Sequence, residues 1–255
     1  MKKPQRGVVM NVVLTDPGVS AGRSVLAEQE RACHDLLVRL AGRVPDRLLW
    51  RMRDWLASGA HAYLARTLPK SMLRHRVGLT DLERSLLEAS LPFWGARQRS
   101  LDAILPSAEP VEPGFTFEAE LRPDRPCADM SGLGGWRDAV DLALTAVLRD
   151  APSATELRRG WRMDHPRPRR IVLARATDNL PALTAAVQRV LRAHGDLTPC
   201  VEIVSPKLAL PPYHRAALRA SVSLWRAPEL GTDRGPSRPE PRAAAVNAGT
   251  IRGEA

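Results

Sequence analysis

Residues 106–113 read PSAEPVEP, with three prolines and two glutamates in eight positions. Each proline removes a backbone donor and biases the residue before it towards extended backbone, so neither a helix nor a central strand can run through this stretch. It therefore constrains the chain more than any other feature, because the segments on either side must satisfy their hydrogen bonds separately. The periodicity before it is helical and the periodicity after it is mixed. We expect a helical bundle module over residues 20–105 and a small α/β module over residues 113–227, joined by a stiff, solvated link. The expected fold class is α+β, with a helical N-terminal module followed by a small α/β sandwich of three or four strands.

In the first segment Ser24 can cap a helix running towards Arg39, with Leu26, Cys33, Leu36, Leu37 and Leu40 on one stripe. Pro45 and Asp46 restart a helix carrying Leu48, Leu49, Met52, Trp55 and Leu56, and Ser58-Gly59 should end it. A piece near Ala60 to Thr67 is expected to be short, because Pro69 follows it. Thr80 and Glu83 form a capping box, and Leu82, Leu86 and Leu87 are expected to face inward behind it. A last helix is expected around Ala96 to Leu105.

The second segment opens with the alternating run Phe115 to Leu121, a strand pattern. A glycine-rich turn, Gly132 to Gly135, leads into a helix near Trp136. A short β-rich run, Arg170 to Ala176, precedes a helix capped by Thr177 or Asp178 and ended by Gly195. Cys200 to Val204 reads as a strand, Pro211-Pro212 as a helix start, and Ala220 to Trp225 as a final strand. Residues 228–255 are rich in Pro, Arg, Gly and Ala and are expected to form a disordered tail.

The formal charge is +10, and only four of the 38 basic residues are lysines: Lys2, Lys3, Lys70 and Lys207. The arginine preference reads as codon bias of a GC-rich genome, whereas the excess over acids does not. A basic protein of this kind is attracted to nucleic acid and to anionic surfaces without that attraction defining a site. Cys33, Cys127 and Cys200 are too far apart for zinc or redox motifs, so buried free thiols and a reducing cytoplasm are expected. No apolar run approaches the roughly 20 residues of a membrane span, and the N-terminus lacks the apolar stretch of a signal peptide.

Two basic clusters carry the candidate site. The first is the stretch 158–170, read as a loop, in which Arg158, Arg159, Arg162, Arg167, Arg169 and Arg170 surround Trp161. Guanidinium forks suit phosphates and an exposed indole can stack on a base; the bland alternative is a solvated connection whose Trp161 closes the core. The second is Arg66, Lys70, Arg74, His75 and Arg76, of which 66, 70 and 74 would align on one helix face if Pro69 did not break the helix; the bland alternative is a polar bundle surface. Gly132 to Gly135 lacks the third glycine of a dinucleotide fingerprint, and the lysine and hydroxyl of a triphosphate loop are absent. The six histidines, His34, His61, His75, His165, His194 and His214, never pair at metal-ligand spacing. The expectation is therefore no catalytic residues, no metal and no cofactor. The leading functional reading is a non-enzymatic protein that binds a protein partner. The alternative is nucleic-acid binding through the arginine-rich stretch, and a third is an enzyme whose site is assembled from distant segments.

Overall fold

A computed structural model describes residues 17–109, 114–121, 138–163 and 167–228, with side chains from residue 21 onward. The glycine-rich turn at 132–135, Trp136, Cys127, His165, part of the connector and residues 229–255 lie outside the described residues. The fold is α+β, with helices first and a mixed sheet after them.

The helical segment contains α1 (Pro17–Arg39), α2 (Asp46–Ala57), α3 (His61–Arg74), α4 (Asp81–Glu88), a 3-10 turn (Leu91–Trp94) and α5 (Gln98–Asp102). Helix α1 begins seven residues before the Ser24 cap expected from sequence. Helix α4 carries the complete capping box, with Thr80 Oγ1 accepting from the Glu83 amide and the Glu83 carboxylate accepting from the Thr80 amide. Its buried side is made by Glu83 and Leu87, whereas Leu82, expected inward, is 51% exposed. Glu83 tolerates burial because Arg43 accompanies it, donating from Nη1 at 2.7 Å.

Pro69 does not break α3, contrary to the sequence expectation. It sits buried in the helix interior, where the missing amide leaves only the Ala65 carbonyl without its usual partner. Leu64, Leu68 and Met72 pack the same helix into the core, and this burial outweighs the local penalty, which is about 3 kcal/mol for proline in a helix. Helix α5 is shorter than the expected run from Ala96 to Leu105.

The sheet comprises β1 (Thr116–Glu118), β2 (Ala154–Met163), β3 (Arg169–Ala176), β4 (Cys200–Val204) and β5 (Ser221–Arg226). Strand β2 lies inside the sheet, antiparallel to β3 on one side and, on the other, to β5 along its first half and β1 along its last residues. Strand β4 runs parallel to β3. Helix α6 (Ala139–Arg149) precedes β2, α7 (Leu180–Ala193) makes the crossover from β3 to β4, and α8 (Pro212–Arg219) precedes β5. The N-cap of α7 is Asn179, in left-handed backbone, rather than Thr177 or Asp178. Gly195 ends that helix at φ 92°, as the sequence suggests.

Strand β2 corrects the reading of 158–170 as a loop. Its alternation is hidden because arginines point to both faces of the sheet. Leu157, Val172, Ala174, Val201 and Ile203 face α6 and α7. Ile171, Leu173 and Cys200 face α8 and the N-terminal helices, sharing one buried cluster with Leu36, Leu40 and Met52. The helical segment and the sheet thus hold a common core.

Candidate functional site

The period of two along β2 and β3 sorts the arginine-rich stretch into two sets. On the α6 side, Arg159 Nη1 donates to Asp141 at 2.6 Å, and Arg170 donates to both Asp141 and the α6 N-cap residue Asp138. Arg159 and Asp141 are both buried, and Arg170 lies over the Trp161 ring, 5.4 Å from its centroid. Trp161 itself is 6% exposed. On the opposite side, Arg162 donates to Asp46 and to the Tyr213 hydroxyl, each at 3.1 Å through Nη1. Arg169 reaches the same Asp46 and Thr198. Arg158 is held by Glu156 and by the side chain and carbonyl of Ser221. Of the six arginines singled out from sequence, Arg167 alone is exposed.

Burial and pairing compete at the two carboxylates of this set, with opposite outcomes. Burial alone would raise the Asp138 carboxyl, but the Arg170 hydrogen bond and charge, with the Asp141 amide, hold it below the usual carboxylate value. Burial dominates at Asp141 and pushes its pKa up despite Arg159 and Arg170.

The second cluster has the opposite character. Because α3 continues through Pro69, Arg66, Lys70 and Arg74 lie one turn apart on one exposed face. Arg66 and Lys70 line a cavity of about 480 Å³ with Ala65, Pro69, Gly95, Arg97 and Ser100. The lining holds three cations and no acid. The side chains of Arg66, Lys70, Arg74 and Arg97 make no hydrogen bond or ion pair with the described residues. Arg97 is the member that sequence reasoning missed. It lies 31 residues after Arg66, and only the return of the chain through the 3-10 turn places it beside α3.

A third arrangement was invisible in the sequence. Arg53 of α2 donates twice to Glu202 of β4, at 3.0 and 2.7 Å, and His214 of α8 donates to Glu202 at 2.8 Å. All three are buried. Burial works against ionised Glu202, yet Arg53 and His214 overcome it and hold its pKa below the ordinary value. Arg53 also donates to the Val201 carbonyl, and His34 of α1 donates through Nε2 to the Ile203 carbonyl at 2.8 Å. These side chains occupy carbonyls of β4, a terminal strand of the sheet order. Through these bonds the network ties α1, α2 and α8 to β4. Cys33 and Cys200 are buried free thiols whose pKa burial pushes well up. Among the described residues, no group of three His, Cys, Asp or Glu side chains could hold a metal ion, and no helix is long and apolar enough to cross a membrane.

Comparison of the chain with protein-family models, curated proteins and solved structures found no match.

Proposed function

We propose that the protein binds nucleic acid through the outward face of α3 and Arg97, rather than through the arginine-rich stretch 158–170. The observation that carries this reading is the cavity lined by Arg66, Lys70 and Arg97 without an acid. Three cations lining one cavity with no acid in its lining favour the approach of an anion. Arginines already committed to buried carboxylates have little left to offer a phosphate. Those of β2 and β3 are mostly of this kind.

The reading predicts salt-sensitive binding of the full chain to mixed-sequence nucleic acid. A triple variant, Arg66→Ser, Lys70→Ser and Arg97→Ser, should lower the slope of log affinity against log salt by roughly 0.7–0.9 for each phosphate that is no longer neutralised. An unchanged slope in the triple variant overturns the assignment.

A protein partner is the second reading, supported by the exposed apolar surface of Tyr63, Leu73 and Phe93 on and beside α3. Binding to polyglutamate in preference to nucleic acid at equal ionic strength would favour it.

A further inference from the structure

Two exposed aromatic side chains belong to α3 and to the 3-10 turn packed against it. Tyr63 lies on that helix one turn before Arg66 and is 64% exposed. One side of its ring rests on Trp55, with centroids 5.9 Å apart, and the residue otherwise faces solvent. Phe93 belongs to the 3-10 turn packed against α3, two residues before Gly95 of the cavity wall. It is 68% exposed and stacks on no other ring among the described residues.

Phosphate binding does not explain Phe93, and it would use only the hydroxyl of Tyr63, leaving the face of that ring unused. The Phe93 phenyl group offers no donor to a phosphate, and leaving it in water forfeits the gain from burying apolar surface. Its flat face is, however, a platform for another ring. A duplex hides the faces of its bases inside the stack and presents phosphates and groove edges. A single strand presents both phosphates and open base faces, and proteins that bind it combine a cationic track with aromatic platforms. The cations of α3 recur every four residues, about 6 Å along the axis, and an adaptable single strand can follow that track.

We infer that the α3 face takes single-stranded nucleic acid, with Arg66, Lys70, Arg74 and Arg97 on the phosphates and Tyr63 and Phe93 stacked on bases. This inference rests on the proposed nucleic-acid reading and names its substrate class. Deoxyribose and ribose strands share the chemistry involved.

The test is fluorescence anisotropy with the full chain and a labelled mixed-sequence oligonucleotide in three forms: single-stranded DNA, single-stranded RNA and duplex DNA. The single strands are expected to bind at least about tenfold tighter than the duplex. Phe93→Ala and Tyr63→Ala are each expected to weaken single-strand binding by between about 5-fold and about 150-fold, with the salt slope and the duplex affinity unchanged. Phe93→Leu keeps the apolar bulk and removes the π-face, so it should lose binding as Phe93→Ala does. Unchanged thermal unfolding of these variants would show that binding, not folding, is affected. Equal affinity for duplex and single strands, or full binding by Phe93→Ala and Phe93→Leu, overturns the single-strand inference and leaves the phosphate reading standing. Absence of binding to all three forms at low salt overturns both.

Discussion

Arg53 and Glu202, 149 residues apart in the chain, face each other through two hydrogen bonds, and each side chain is 2% exposed. One belongs to the second helix and the other to the last strand of the parallel pair. Removing one partner leaves the other charge buried, which costs far more than the intact pair contributes. Arg53→Met should therefore lower the unfolding free energy by about 3–5 kcal/mol in urea titration. Adding Glu202→Gln to that variant should recover part of the loss, since no charge is then stranded. A loss below about 1 kcal/mol in Arg53→Met would mean that Glu202 is not held ionised by this pair.

The buried His34 gives stability a dependence on acid. Its ring is neutral, donating from Nε2 to the Ile203 carbonyl while Nδ1 is buried without a partner. Burial pushes its pKa from 6.5 down to about 4, against the opposing pull of that hydrogen bond. As pH falls below about 6.5 the unfolded chain takes up a proton that the folded chain refuses until about pH 4, so stability falls across this window. The full drop attributable to this group is about 3 kcal/mol. His34→Gln keeps a donor for the carbonyl and does not titrate. Urea unfolding from about pH 7 to about pH 4 should show a shallower decline in that variant.

Arg159, a candidate phosphate ligand on sequence alone, is a buried partner of Asp141, whose side chain is 0% exposed. Arg159→Leu should lower stability by about 3–5 kcal/mol. It should leave the salt slope of nucleic-acid binding unchanged under conditions where the variant is folded. A lower slope in the folded variant would return Arg159 to the binding surface.

Gly160 lies where β2 meets the turn from α8 into β5. A Cβ there would stand 2.9 Å from the Ala220 carbonyl oxygen and 3.4 Å from Ile171 Cγ2. The nearest obstacle is backbone and cannot rotate away. Gly160→Ala should cost about 1–3 kcal/mol by thermal or urea unfolding, the range for overpacked sites. A neutral or stabilising result would show that β5 yields easily at this point.

The elements legible in the sequence depend on neighbours a few residues away. The capping box of α4, the start of α2 at Pro45-Asp46, the Gly195 stop and the β4 run from Cys200 to Val204 all have their cause within one or two turns of chain. The order of helices before strands follows from the same local periodicities. Strand β2 and the continuity of α3 through Pro69 required something further. A strand with arginines on both faces looks solvated until acids arrive to bury them, and those acids lie 18 residues away for Arg159 and 116 for Arg162. Arg66 and Lys70 were legible as a spaced pair, whereas the arrival of Arg97 beside them and the absence of an acid from the cavity lining were decided by the fold. Local backbone preference determined most of the elements. Which charges are buried in pairs and which face solvent was decided by the tertiary structure, because a guanidinium leaves water only when a carboxylate comes with it.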